Sequence, residues 1–281
     1  MILKKPRSLQ ELLQEAEGKE PSDPNNVEVF LKLGKIHLKN GYYNDAVSVF
    51  RKIVSFEPYN SSAVISLGIS YSRLGRFEDA IFYLEQALEL KSNETIVFLA
   101  FSDLYESKGD TEKQIQFLMR AANSSPDRFQ IRLKLSELLR KHGDLPGATR
   151  EYRKLLEKHP ELEVAHFSLA GILMKEKNFE EAAVHLKIVL SKNPSAFDAH
   201  MNLGFCLFSQ KKYSLAIPSF VSGLKRYKNY PKGMFALAQC YYQIRDWDRA
   251  LVLMERLSEF HKDDFQILFS LGELYQKTGE I

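Results

Sequence analysis

The sequence predicts an all-α protein, an α-solenoid in which short helical hairpins stack one after another. Three observations lead to this prediction: residues recur with a constant period, apolar residues within each copy follow helical spacing, and turn-forming residues return at fixed places. The period sets the positions at which the other two patterns repeat.

The period of 34 residues is visible in a Leu-Gly pair that returns along the chain, at Leu33-Gly34, Leu67-Gly68, Leu203-Gly204 and Leu271-Gly272. Substituted copies of the pair lie between these at the same spacing, without insertion or deletion from residue 27 onward. Two further columns keep this register. The small-residue column holds Ala46, Ala80, Ala148, Ala182, Ala216 and Ala250, with Gln114 as its exception. The large apolar column holds Phe50, Leu84, Leu118, Tyr152, Leu186, Phe220 and Met254.

Each copy carries the signals of two helices. The first helix shows one buried stripe, as in Phe30, Leu33, Gly34 and His37. A glycine at the fifteenth position is expected to end it with a positive φ, at Gly41, Gly75, Gly109, Gly143 and Gly279. A proline stops the second helix at Pro58, Pro126, Pro160 and Pro194. One hairpin cannot bury its stripe alone, so the copies are expected to stack with their small columns in close contact.

The whole pattern resembles the tetratricopeptide repeat (TPR), in which an aromatic, Leu-Gly, Tyr, Gly, Ala, Phe, Ala and Pro stand at fixed offsets. The resemblance implies a right-handed superhelix of helix-turn-helix repeats. We predict seven complete repeats over 27–264 and the first helix of an eighth over 265–281. The closing proline is lost at Ser92, Lys228 and Lys262.

The two ends of the chain depart from complete repeats. Residues 1–26 are predicted to hold an N-terminal helix, the remnant or cap of a preceding repeat, with SDPNN (22–26) as its closing turn. The last helix keeps a full apolar stripe with no polar cap, at Leu268, Leu271, Gly272 and Tyr275. Because solenoid ends need capping, we expect that stripe to be covered. A longer array, end-to-end pairing of two molecules through 265–281, or another part of the molecule would each cover it.

Composition narrows the classes of function. The chain has 281 residues, with 39 Lys and Arg against 36 Asp and Glu, which argues against a dedicated nucleic-acid binder. No apolar run approaches the roughly 18 residues of a membrane span, and no secretory signal is visible in the sequence. A cytoplasmic protein is predicted, although a signal removed from a precursor would leave no trace. Two cysteines are too few for a disulfide scaffold.

One stretch, DAHMNLGFCLF (198–208), contains the residue types of a thiol-nucleophile triad or a metal site in His200, Asn202 and Cys206. On a helix, His200 and Cys206 point about 120° apart. Cys206 and Cys240 share an otherwise apolar column, which predicts buried, reduced thiols. His200 and its counterpart His166 lack a third ligand in phase and are predicted to be core residues. We therefore predict no catalytic residue, no metal and no cofactor.

The TPR resemblance also implies a concave groove lined by the first helices. Carrying the family's groove positions over gives a mixed, charged early part and an aromatic, Met-rich later part: Phe167, Met174, Met201, Asn202, Phe205, Phe208, Phe235, Gln239, Tyr242 and Phe269. Exposed aromatic surface with a polar rim is typical of a partner site. Phe205 is the sharpest case, because its position is polar in most other copies. The alternative is that these aromatics pack between neighbouring helices.

The predicted function is a non-catalytic protein–protein interaction scaffold that binds a protein or peptide segment in this groove. The alternative is a targeting or assembly arm of a larger enzyme or secretion machine whose chemistry lies outside the chain. A basic cluster near the sixth-to-seventh junction is a solvated face or a contact for an acidic partner segment: Lys211, Lys212, Lys225, Arg226, Lys228 and Lys232. In that sixth copy, Ser214 is predicted to cap the second helix and to place Pro218 in its first turn.

Overall fold

The computed structural model describes residues 9–16, 18–19, 26–91, 93–227 and 229–279. All regular secondary structure in these residues is helical, which confirms the predicted fold class. The sixteen helices are α1 (Leu9–Ala16), α2 (Val27–Lys39), α3 (Tyr43–Phe56), α4 (Ser61–Arg73), α5 (Phe77–Glu89), α6 (Glu94–Lys108), α7 (Thr111–Ser124), α8 (Phe129–His142), α9 (Leu145–Lys158), α10 (Glu163–Lys175), α11 (Phe179–Lys192), α12 (Phe197–Ser209), α13 (Tyr213–Leu224), α14 (Pro231–Gln243), α15 (Trp247–Phe260) and α16 (Phe265–Thr278).

The chain divides into two compact units, Met1–Ala148 and Thr149–Ile281, with the boundary inside α9. In the first unit, helices α1 to α8 pack successively, and α2 and α6 also contact α4. In the second unit, α10 to α16 pack successively, and α12 also contacts α14. Each unit is thus a stack of helical hairpins.

The predicted columns form the cores of these stacks. All six alanines of the small column are fully buried, and Gln114, which replaces alanine in one copy, is buried as well. Every member of the large apolar column is also buried, from Phe50 to Met254. The period therefore predicted correctly which side chains lose contact with water and drive the packing.

The glycine of the Leu-Gly pair marks where the two helices of a hairpin meet. A Cβ placed on Gly34 would lie 2.6 Å from Cε1 of Phe50, and one on Gly204 would lie 2.6 Å from Cε1 of Phe220. A Cβ on Gly68 would lie 2.8 Å from Cγ of Leu84. Each distance is shorter than van der Waals contact, so a Cβ at any of these three positions would force the facing side chain to shift, as the expected close approach of the helices implies.

The turn inside each hairpin has the predicted positive φ. Gly41, Gly75, Gly109, Gly143 and Gly279 have φ between 74° and 91°. Three further turn positions, all in the second unit, are held by Lys177, Lys211 and Arg245, with φ of 61°, 59° and 65°. Stacking therefore imposes the left-handed turn even where the sequence lacks the residue that adopts it at no steric cost.

The second helix of the sixth copy differs from the prediction. Helix α13 begins at Tyr213 after Lys212, so Pro218 lies in its interior and not in its first turn. The prediction that Ser214 caps this helix is wrong. Helices α11, α13 and α15 begin at Phe179, Tyr213 and Trp247, so the repeat register sets the start and overrides the local capping signal.

A helix lies near each end of the described residues. Helix α1 covers the predicted N-terminal helix, with Leu12 in the core of the first unit, whereas the SDPNN turn lies outside the described residues apart from Asn26. In α16, the side chains of Ile267, Ser270 and Leu274 are buried. Phe265, Leu268 and Phe269 are exposed, with Phe265 at 80% and Phe269 at 56%.

Candidate partner-binding surface

The ten side chains predicted for the groove all belong to the second unit. Nine are partly or largely exposed: Phe167 and Met174 on α10, Asn202, Phe205 and Phe208 on α12, Phe235, Gln239 and Tyr242 on α14, and Phe269 on α16. We name these nine the aromatic set, after the six aromatic rings among them. Their exposure leaves them available for contact with a partner.

Met201 is the exception, and its assignment to an accessible groove is corrected by the structure. Its side chain is only 2% exposed. A Cβ on Gly223 would lie 2.5 Å from Sδ of Met201, and one on Gly233 would overlap its Cε. The two glycines, on α13 and α14, thus open the space into which Met201 packs.

The rings of α12 are held by packing on one side. Phe205 meets the fully buried Phe220 edge to face at a centroid distance of 5.2 Å. Phe208 meets Tyr213 in the same way at 5.6 Å. These contacts bear out part of the packing alternative, yet each of the two phenylalanines keeps a partly exposed face. The same rings can therefore pack within the stack and present surface to a partner.

Two cavities lie at corresponding places in the repeat frame. One of about 550 Å³ surrounds Phe167 and is lined by Glu163, Phe197, Asp198, Arg226 and Tyr227 among others; we name it the Phe167 cavity. Another of about 200 Å³ surrounds Phe235 and is lined by Pro231, Lys232, Leu257, His261 and Asp264 among others; we name it the Phe235 cavity. Phe167 and Phe235 occupy the same repeat position, two periods apart.

The sequence pattern predicted Phe167 and Phe235 as groove residues, and Arg226 and Lys232 as members of the basic cluster, but not the other residues that line these cavities. Glu163, Phe197 and Tyr227 come from the start of one copy, the start of the next and the end of that next copy. The signal that could have found them is the repeat frame itself, because residues beside a groove position in successive copies become neighbours once the hairpins stack.

The cysteines are buried in the second unit, as predicted. Cys206 and Cys240 are free and fully buried. Burial raises the pKa of Cys206 to about 11 and the pKa of Cys240 to about 12. Since the thiolate is the reactive form, both groups are poor nucleophiles at neutral pH.

His166 and His200, which occupy the same position in successive copies, make equivalent contacts. Nε2 of His166 lies 3.0 Å from the carbonyl oxygen of Pro160, and Nε2 of His200 lies 2.8 Å from that of Pro194. His166 is buried as predicted, whereas His200 is only half-buried. Among the described residues, no group of three or more His, Cys, Asp and Glu side chains could hold a metal ion.

The rest of the surface adds two observations. Within the part of the chain that the structure describes, no helix has both the length and the apolar character needed to cross a membrane. Of the basic cluster, Lys211, Lys212, Lys225, Arg226 and Lys232 are exposed or half-exposed, and Lys228 lies outside the described residues.

Stacked helical hairpins with exposed side chains on the first helices define a helical repeat protein, and comparison with known families identifies which one. Profiles of the tetratricopeptide repeat match residues 27–60, 62–94, 97–128, 133–187, 174–233 and 207–271. The chain belongs to the tetratricopeptide repeat family. No curated protein matches the sequence.

Solved structures with the same fold include three informative examples. The C-terminal part of a TPR repeat-containing protein from Cytophaga hutchinsonii has a TM-score of 0.63 and 15% identity, covering 86% of this chain and 99% of its own. A chain of the Naa15/Naa10 complex bound to HypK-THB has a TM-score of 0.70 and 15% identity over 88% of this chain, which spans only 38% of that longer chain. MamA from Desulfovibrio magneticus RS-1 has a TM-score of 0.53 and 17% identity, and the match covers 62% of this chain and 98% of the MamA chain. These likenesses concern the fold.

Proposed function

We propose that this protein is a non-catalytic interaction scaffold that binds a segment of a partner protein along α10, α12, α14 and α16. The observation that carries the proposal is the partial exposure of the aromatic set on those four helices. The neighbouring columns of the same repeats are buried, whereas the rings of the aromatic set, together with Val164, Phe265 and Leu268, are apolar surface left open on these first helices. Membership of the TPR family and the same fold in a complex bound to HypK-THB support it.

The physical chemistry of the aromatic set suits partner binding. An aromatic ring already packed on one side, as Phe205 is on Phe220, loses little further freedom when its open face is covered. Asn202 and Gln239 lie among the rings, and their amides both donate and accept hydrogen bonds. The rings would supply most of the affinity, and the amides would set the register of the bound segment.

A capture experiment tests this proposal. The wild-type protein is compared with Phe205→Ala, Phe235→Ala and Tyr242→Ala in recovery of the partner from the native source. Each substitution is expected to reduce recovery at least about tenfold if its ring is an anchor of the site. Phe260→Ala is the control, because Phe260 lies on α15 and is exposed without belonging to the set.

Circular dichroism establishes that each variant retains the helical content of the wild type, and the comparison is then direct. Recovery that stays at the wild-type level in all three variants, while the fold is intact, contradicts the proposal. Equal losses in the three variants and in Phe260→Ala contradict it as well.

We also propose that two copies associate through the exposed face of α16. Phe265 and Phe269 stack with centroids 6.0 Å apart, and Leu268 is exposed beside them. Light scattering at increasing protein concentration should show a rise from one chain mass to two. The double variant Phe265→Ser/Phe269→Ser should remain at one mass, and a wild-type protein that also remains there contradicts the proposal.

A further inference from the structure

We infer that the Phe167 cavity receives a cationic side chain, arginine or lysine, of the bound partner segment. This inference rests on the proposed function and adds to it the chemistry of one position of the partner. The size of the cavity, its aromatic walls and its two carboxylates support it.

The aromatic wall is preassembled. Phe197 contacts two tyrosines: its ring centroid lies 4.4 Å from that of Tyr227, which also lines the cavity, and 5.6 Å from that of Tyr230, which supports Phe197 from outside the lining. Phe167 lines the same cavity and is half-buried. Aromatic faces attract ammonium and guanidinium groups through the ring quadrupole. A volume of about 550 Å³ is ample for one long side chain.

Two carboxylates complete the lining. Glu163 lies in the first turn of α10 and Asp198 in the first turn of α12. Neither side chain has an ion-pair or hydrogen-bond partner among the residues that the structure describes. Each benefits from the N-terminal dipole of its helix, and each keeps carboxylate oxygens that can accept hydrogen bonds from a cationic ligand in the cavity.

Among the residues that the structure describes, Arg226 is the one cation in the lining, and its guanidinium has an aromatic contact of its own. Its guanidinium lies over the ring of Tyr227 at 6.0 Å from the centroid. Glu163 and Asp198 carry two negative charges and Arg226 one positive charge, so the charged side chains described in the lining sum to one negative charge. Arg226 therefore reduces the attraction for a cation without reversing it, and removing its charge should strengthen binding.

The corresponding places in the next two copies show that this chemistry is specific to the Phe167 cavity. One copy later, Met201 takes the place of Phe167 and is packed into the core against Gly223 and Gly233. Two copies later, the Phe235 cavity carries Lys232 and His261. Its one carboxylate, Asp264, already accepts hydrogen bonds from the backbone N–H groups of Gln266 and Ile267.

The test uses the whole chain and three small probes: N-acetyl-arginine amide, its neutral isostere N-acetyl-citrulline amide, and N-acetyl-glutamate amide. Each is titrated while the backbone amide resonances of 163–168 and 196–199 are followed by NMR. The arginine probe should give saturable shifts there and bind about fivefold more tightly than the citrulline probe. The glutamate probe should leave these resonances unmoved.

Variants assign the effect to named groups. Glu163→Gln and Asp198→Asn should each weaken binding of the arginine probe about two- to fivefold, and Arg226→Gln should strengthen it about twofold. Glu180→Gln and Asp248→Asn are the matched controls, because those acids occupy the first turns of α11 and α15 outside the cavity. They lose the same helix-dipole stabilisation and should leave binding unchanged.

Two results overturn the inference. One is equal binding of the arginine and citrulline probes; the other is tight binding of the glutamate probe that Arg226→Gln abolishes, which would assign the cavity to an acidic segment. The titration needs no partner, so its outcome is separate from the capture experiment. Failure of the titration with a positive capture result rejects only this inference. A positive titration with a failed capture rejects the proposed function and leaves the cavity as a cation-binding site without that partner segment.

Discussion

His166 and His185 face each other through their Nδ1 atoms, which lie 2.7 Å apart. Nε2 of His166 must donate to the carbonyl oxygen of Pro160, because a carbonyl can only accept. In neutral His166, Nδ1 is then the acceptor, and Nδ1 of His185 carries the proton between the two rings. One backbone carbonyl thus determines the tautomers of both histidines on α10 and α11.

This pair predicts a loss of stability in mild acid. The pKa of His185 is lowered from its usual 6.5 by burial first and then by the charge of His166 and of Arg153, against an opposite effect of Glu181. The unfolded chain therefore binds the proton more readily than the folded one. The stability from neutral His185 is fully present above about pH 6.5 and is lost as the pH falls through the lower pKa of the folded state.

Urea unfolding at pH 8, 7, 6 and 5 measures this effect as the difference between the wild type and His185→Asn. Asparagine can keep a donor toward His166 without a titratable group. We expect the acid-side decline to be shallower in the variant. Parallel curves for the two proteins would show that His185 does not cause the decline.

A pair of glycine substitutions tests the close approach of helices in the second unit. Gly204→Ala should lower the free energy of unfolding by about 1–3 kcal/mol, since its new Cβ would press on the Phe220 ring. In Gly171→Ala the new atom meets nothing within 4 Å, and the helix should gain up to about 1 kcal/mol. Thermal melting compares both with the wild type. Melting temperatures that shift in the same direction for the two variants would contradict the close contact of Gly204 with Phe220.

A substitution at a left-handed turn should stabilise the protein. Lys211 has φ of 59° where five copies carry glycine, and a non-glycine residue in this region costs about 1 kcal/mol. Lys211→Gly is therefore expected to raise the melting temperature. The reverse change, Gly75→Lys, should lower it by a similar amount. A lower melting temperature for Lys211→Gly would show that side-chain contacts outweigh the backbone cost.

Met201 and Gly223 should be strongly coupled. Gly223→Ala places a methyl group against Sδ of Met201 and should destabilise the protein by about 1–3 kcal/mol. Met201→Ala removes the obstruction at a cost of about 2–5 kcal/mol for the cavity it leaves. In the double variant the new methyl group partly fills that cavity, so the two losses should not add. Additive losses in denaturant unfolding would contradict the contact.

The fold was predictable because its signals are local and repeated. The Leu-Gly pair, the alanine column and the turn glycines recur at one spacing. The other copies therefore predict that Gln114, which stands in the place of alanine, is buried, and it is. The register extends even to α13, whose start at Tyr213 follows the period although Ser214 offers a local cap. The error about Pro218 came from weighting the local signal above the repeated one.

The candidate site was predictable only in part. The repeat frame indicates which way a side chain on a first helix points, and it placed Phe205 and Phe235 on partly open surface. It does not indicate whether neighbouring helices leave room for a side chain. Met201 was therefore misassigned, because the space it fills exists only where Gly223 and Gly233 meet it from two other helices.

The sequence by itself determined the period, the helices, the buried columns and the turn positions, since each depends on spacing along one chain and is repeated many times. Tertiary structure alone decided which side chains share a space. It brought Glu163 and Asp198 to one aromatic cavity, joined His166 to His185 and placed Met201 in the core. These outcomes depend on shape and contact between separate helices, which no repeat column encodes.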